Sequence, residues 1–343
     1  MRRDLRDPGV TRTFVLGAGF SVAAGLPLTR DLRGIVAGRI EHEHLPRYHQ
    51  DNGRFNQGLN HVKDHGRLGL EELLIALKRA ATNDRHPAID TLRALKTACG
   101  REFWHRQNAI SNLPACYQNF AEWVNRTTVG LSNAVVTFNW DLVAELSVEQ
   151  SGANFTYGLQ YSATGLPRND LVPVLKPHGS INWSDHTRRG LVSPYGGWTP
   201  IGPDSQLAYD SLNPFANPFR QDDINETRWM LFPGDKESID EDHSLKLIWD
   251  DVERVVAQRE MLVFIGYSMP RYDEKTRDFF RECGRGKLVE IYTRTATNLS
   301  GFHDVFGSSV VHYDQRFEDS IYGLTTPRAV ASELGLYNSY QYS

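Results

Sequence analysis

Six short apolar runs, bounded by Gly, Pro and Asn, punctuate the chain at Thr13–Leu16, Ala134–Phe138, Pro173–Lys176, Met261–Ile265, Leu288–Tyr292 and Ser309–Tyr313. Runs this short, rich in Val, Ile, Phe and Tyr, read as buried strands. Apolar positions recur at helical spacing in Leu28–Ile40, Leu70–Ala81, Ile89–Cys99, Tyr117–Val129, Leu142–Glu149, Leu245–Gln258, Glu274–Cys283 and Pro327–Leu334. Strands that alternate with helices predict an α/β fold, a Rossmann-like parallel sheet with helices on both faces. The alternation breaks over about residues 39–131, where helical segments follow one another without a strand, which predicts an inserted helical lobe. It breaks again at Ser184–His243, a stretch of Pro, Gly, Asn and aromatic residues expected to fold irregularly over a site. Residues 1–343 are read as a single catalytic domain, and Tyr337–Ser343 as a frayed tail.

Two of the predicted strands end in glycine turns that carry chemistry. In Thr13-Phe-Val-Leu-Gly-Ala-Gly-Phe-Ser-Val-Ala-Ala-Gly-Leu-Pro27 a strand runs into Gly17, Ala18 and Gly19 and then into small residues able to start a helix. Such a turn lets the backbone approach a pyrophosphate and offers it N–H groups, with Ser21 as a hydroxyl donor. The spacing is not that of dehydrogenases, since Val22 stands three residues after Gly19 and no carboxylate closes a second strand about twenty residues on. Hydride transfer is disfavoured; a tight turn without a ligand stays open. In Met261-Leu-Val-Phe-Ile-Gly266-Tyr-Ser268-Met-Pro-Arg-Tyr-Asp273 the pattern of strand, glycine and hydroxyl recurs.

Two further strand ends carry polar side chains. Asn139 and Asp141 follow the strand Ala134-Val-Val-Thr-Phe, at the end where open α/β sheets bind ligands, although such residues also cap helices. His178 follows Val174-Leu-Lys-Pro and suits a general base.

Composition narrows the partners more than the fold. The 343 residues are 40% hydrophobic and 23% charged, with 38 basic against 42 acidic residues, a formal charge of −4. No run of basic residues offers a patch for nucleic acid. No apolar stretch has the length of a signal peptide or membrane span, so a cytoplasmic protein is expected. Cys99, Cys116 and Cys283 are scattered and lack metal-ligand spacing. His42, His44, His49, His61 and His65 lie near acidic residues but without H-E-x-x-H spacing, and read as a solvated connector. No metal is expected.

Taken in order, Gly17-Ala-Gly-Phe-Ser21, Thr137-Phe-Asn-Trp-Asp141, His178-Gly-Ser-Ile-Asn-Trp183 and Phe264-Ile-Gly-Tyr-Ser-Met-Pro270 resemble the sirtuin family. They are more similar still to its sirtuin-like branch in bacterial antiphage defence, and Phe232-Pro-Gly-Asp-Lys236 adds to the likeness. The resemblance implies an NAD-binding fold. Gly17, Ala18, Gly19 and Ser21 would hold the pyrophosphate, and Gly266 and Ser268 the phosphate or adenosine ribose. Asn139 and Asp141 would line the nicotinamide-ribose pocket, and His178 would be the base. Three features depart from the deacylating members. Leu28-Thr29-Arg30 stands where an Asp-Phe-Arg segment is usual, the four-cysteine zinc module is missing, and Tyr292 or Thr293 replaces an asparagine near the adenosine ribose.

The reaction expected is hydrolysis of the nicotinamide–ribose bond of NAD, with Asn139 and His178 catalytic. The same motifs, His178 apart, suit a non-catalytic module that binds NAD or ADP-ribose; deacylation and ADP-ribosyl transfer are the remaining alternatives. Analogy with the defence branch adds regulation by a homo-oligomer or by a partner such as an ATPase.

Overall fold

The computed structural model describes residues 9–42, 52–81, 86–128, 131–158, 171–185, 198–200, 207–210, 243–294, 299–308 and 310–323. Seven strands form one all-parallel sheet: β1 (Arg12–Leu16), β2 (Ala134–Thr137), β3 (Asn154–Thr156), β4 (Leu171–Leu175), β5 (Met261–Ile265), β6 (Leu288–Tyr292) and β7 (Val310–Tyr313). Their order is β7-β6-β5-β1-β2-β4-β3. This is a Rossmann-like α/β fold. All six strands expected from the apolar runs are present; β3, an edge strand of three residues, is the addition.

Alternation along each strand builds two cores. Phe14, Leu16, Val135, Val263 and Ile265 face one side of the sheet, while Val15, Val136, Leu262, Phe264 and Ile291 face the other. Burial on both faces is what a parallel sheet demands, and it explains why the strands read as continuous apolar runs.

The second face is covered by α8 (His243–Gln258), α9 (Glu274–Cys283) and α10 (Leu299–Phe306), which contribute Val252, Phe280 and Phe302. The first face carries α2 (Thr29–His42), α4 (Leu70–Ala80), α5 (Pro87–Asn108), α6 (Ala115–Asn125) and α7 (Val143–Gln150), through residues such as Leu32, Leu74, Leu95, Phe120 and Val148. Between β1 and β2 the chain forms α1 (Ala18–Ser21) through α6, including α3 (Asn52–Asn60), with α2, α3 and α4 packed on the 22-residue α5.

Some boundaries differ from expectation. The helix expected to reach Val129 stops at Asn125, and Thr127–Thr128 pairs with Leu131–Ser132 instead, as β-branched residues favour. The helix expected over Ile89–Cys99 runs on to Asn108, because Phe103 and Trp104 keep an apolar face on the core. Of Ser184–His243, the described parts Ser184–Asp185, Trp198–Pro200 and Leu207–Asp210 pair as a small antiparallel sheet. The rest of that stretch up to residue 242, which includes the segment 232–236, lies outside the described residues, as do the helix expected over 327–334 and the tail. Among the described residues no helix is long and apolar enough to cross a membrane.

Candidate functional site

The strand register brings four chain turns to one edge. Leu16 lies beside Thr137 on one side and Ile265 on the other, and Ile265 lies beside Tyr292. The chain leaves β1 toward β2 and β5 toward β6, in opposite directions, so β1 and β5 flank the topological switch point where open α/β sheets bind ligands. A cleft of about 630 Å3 opens there, within the range of small-molecule and cofactor sites.

Its floor is the contact between two glycine turns. Gly17 N–H donates to the Ile265 carbonyl and Gly19 N–H to the Gly266 carbonyl, both at 3.0 Å. A Cβ on Gly19 would lie 2.7 Å from Gly266 Cα, and one on Gly266 2.3 Å from Phe20 N, while Gly266 itself holds φ at 62°. Only glycine fits this approach. Two of the expected phosphate-loop N–H groups are therefore engaged by the fold. The small residues after Gly17 form the four-residue α1 and a 3-10 turn, Val22–Ala24, rather than the start of a long helix. Ala18, at the first helical position, keeps an N–H with no intrahelical acceptor and lines the cleft with Gly17, Gly19, Gly266 and Ser268.

Ser21 lies elsewhere. It is buried and does not line the cleft; its hydroxyl donates to Asp141 Oδ1 at 3.1 Å and accepts from Asn139 Nδ2 at 3.1 Å. Asn139 Nδ2 also donates to the Gly17 carbonyl at 2.9 Å. Its amide is thereby clamped beneath the glycine turn, and Oδ1 is the acceptor it can offer to the cleft. Asp141 Oδ1 accepts in addition from Val143 N–H at 3.0 Å, tying the loop to the start of α7. Burial pushes the Asp141 carboxyl above the ordinary carboxylate range, opposed by the Lys176 ammonium and by these hydrogen bonds.

Lys176 anchors the next turn. Fully buried, its Nζ donates to the Asp141 carbonyl and, at 2.8 Å, to Glu145 Oε1, which also accepts from the Tyr157 hydroxyl at 3.0 Å. Lys176-Pro177-His178-Gly179 closes a tight turn through Gly179 N–H to the Lys176 carbonyl, and Ile181 N–H reaches the Trp140 carbonyl at 3.0 Å. The turns after β2 and β4 are thus tied together, and His178 is carried into the cleft with its ring edge-on to Phe138, 4.8 Å between centroids.

Three side chains that the sequence did not single out complete the site. Asp273, 5% exposed at the start of α9, lies 3.6 Å from His178 Nε2. Tyr267 is buried and stacked on Phe138. Glu71, in the first turn of α4, reaches the cleft from the helices opposite the sheet. Burial first, then the nearby Asp273 and Glu72 carboxylates, raise the Glu71 carboxyl to about 8. Asp273 was readable as a helix cap, but nothing in its sequence context signals a histidine partner.

Among the described residues no cluster of His, Cys, Asp or Glu has the form of a metal site. In the histidine-rich connector, the His61 ring lies tilted against that of His86, 4.4 Å between centroids, and His65 Nδ1 meets the Val62 carbonyl. Cys99 and Cys116 are buried free thiols.

No protein-family model and no curated protein matches the chain. Among solved structures it is similar to a serine-to-alanine mutant of a Sir2 homologue in complex with ADP ribose, with 14% identity, 98% of this chain and 99% of that one covered, and a TM-score of 0.48. It is similar also to a triple mutant of a Sir2 homologue in complex with 2'-O-acetyl ADP ribose, with 14% identity, both chains covered in full and a TM-score of 0.44. A Sir2 homologue in complex with NAD is a third, with 14% identity, 90% and 86% covered and a TM-score of 0.41. Identity this low, with TM-scores under 0.5, leaves the chemistry to be argued from the residues themselves.

Proposed function

We propose that this protein is a sirtuin-like NAD hydrolase that cleaves the nicotinamide–ribose bond of NAD to nicotinamide and ADP-ribose, and that it serves as an NAD-depleting effector in antiphage defence. One observation carries the reading: Asn139, clamped by Gly17 and Ser21, and His178, beside Asp273, share one cleft with the paired glycine turns at the switch point of the sheet. The order of the four sequence motifs supports the choice of NAD over other dinucleotides.

In this reading the pyrophosphate lies over Ala18, Gly19, Gly266 and Ser268, and the nicotinamide ribose lies near Asn139, Asp141 and His178. The C1'–N bond breaks with its electron pair going to nicotinamide, which leaves as a neutral molecule, so no acid is required. The transition state has oxocarbenium character, as in glycoside hydrolysis. Asn139 Oδ1 accepts from the attacking water or a ribose hydroxyl and sets its line of approach. His178 takes the proton of the water as its oxygen bonds to C1', then returns it to solvent. Phe138 and Tyr267 form an apolar wall that strengthens these polar contacts.

The test is nicotinamide release from NAD by the purified chain. Wild type is expected to release it, and Asn139→Ala to do so about 100-fold more slowly. Release at the wild-type rate by Asn139→Ala would remove the assignment. A wild type that binds NAD but releases nothing would make the protein a binding module.

A further inference from the structure

The carboxylate of Asp273 is divided between two tasks. Oδ1 accepts from Thr276 N–H at 3.3 Å and caps α9, while Oδ2 faces His178 Nε2 at 3.6 Å, an ion-pair separation that a bound substrate can tighten. The loop that presents it is constrained. It leaves β5 through Gly266, passes Met269 at φ 48°, a left-handed conformation costly for a side chain this long, and turns back through Asp273 N–H to the Pro270 carbonyl. Arg277, one helical turn into α9, donates to the Met269 carbonyl and to Asp304, which pins the strained residue from the far side. A helix cap alone calls for none of this, since any Ser or Asn would supply it.

We infer that Asp273 is a positioning residue that orients the His178 imidazole and stabilises the imidazolium formed when His178 accepts a proton. The inference deepens the hydrolase reading and rests on it for the identity of the reaction. As the water O–H bond breaks, its proton passes to the imidazole and its oxygen bonds to C1'. The positive charge that develops on the ring then sits against a buried carboxylate. Next to the pair stand the Tyr267 hydroxyl and Glu71 from α4, both near Asp273, and the apolar Phe138 against the His178 ring, while Arg30, Glu72, Asp141, Arg294 and Arg316 line the same cleft. Glu71 adds negative charge only as pH rises towards about 8.

Asp273→Asn keeps a good helix cap and removes the charge. It is expected to lower kcat for nicotinamide release at least about tenfold with KM for NAD within about twofold, and to shift the pH profile. A readout independent of turnover is the NMR titration of the His178 ring, whose midpoint in Asp273→Asn is expected to fall by about 1 relative to wild type. Asp273→Ser, a cap too short to reach His178, is expected to behave alike and serves if the Asn variant does not fold. An unchanged titration midpoint overturns the inference whatever the turnover. A lowered midpoint in a protein whose wild type releases no nicotinamide upholds the pairing and defeats the hydrolase reading instead.

Discussion

The Gly19 N–H donates to the Gly266 carbonyl at 3.0 Å, so the two turns that floor the cleft hold each other before any ligand arrives. Glycine at these positions is required by contact between the turns as well as by room for a phosphate. Gly266→Ala combines a forbidden contact with positive φ, and is expected to destabilise the protein by about 3 kcal/mol. Urea denaturation checks this; a loss under about 1 kcal/mol would mean that the turns separate freely.

Under the proposed hydrolase reading, Ser21 acts on positioning and not on phosphate binding. Because its hydroxyl links Asn139 to Asp141 beneath the floor, Ser21→Ala is expected to slow nicotinamide release while the affinity for ADP-ribose changes less than about threefold. Calorimetric titration with ADP-ribose measures the second quantity. A loss of affinity with unchanged kcat would restore Ser21 to the pyrophosphate.

Lys176 and Glu145 form a fully buried ion pair between the turn after β4 and α7, and Lys176 also donates to the Asp141 carbonyl in the turn after β2. Lys176→Met leaves the Glu145 carboxylate without its cation and is expected to cost about 3–5 kcal/mol. Denaturant unfolding should show a lower midpoint with an unchanged slope. If stability holds within about 1 kcal/mol, the pair does not organise the site.

Glu71 makes stability depend on pH with a definite sign. Its carboxyl titrates near 8 in the folded protein against 4.5 ordinarily, so the folded state binds the proton more tightly. Stability from this group is complete below about pH 4.5 and is lost as pH rises to about 8. Glu71→Gln abolishes the loss. Its advantage over wild type is expected to grow from nil at the acid end to about 1–2 kcal/mol at the alkaline end, once partial exposure is allowed for. A difference that does not vary with pH in thermal melts would contradict the placement of Glu71 beside Asp273.

The sheet was legible because both its faces are buried, which turns strands such as Met261–Ile265 into unbroken apolar runs. Asn154–Thr156 was not, since an edge strand of three residues with Asn154 exposed has no such run. Nor was Asn52–Asn60, whose Gly and Asn residues disfavour a helix; it forms because Gly58 lets it lie against α5, where Thr91 donates to the Phe55 carbonyl. Of the candidate site, the cleft-lining Gly17, Asn139, His178 and Ser268 could be picked out because each stands one to three residues beyond the end of a strand. Glu71 and Asp273 could not, because each looks like an ordinary first-turn acid or cap, and only the tertiary fold brings Asp273 beside His178 and Glu71 into the same cleft. Ser21 was readable as polar, but its hydroxyl direction is a tertiary fact.

The most direct test of the central claim compares wild type and His178→Ala for nicotinamide release from NAD, with ADP-ribose affinity measured on the same preparations. Wild type is expected to release nicotinamide and the variant at least about 100-fold less, with affinity preserved within a few-fold. Equal release by both proteins would contradict the central claim.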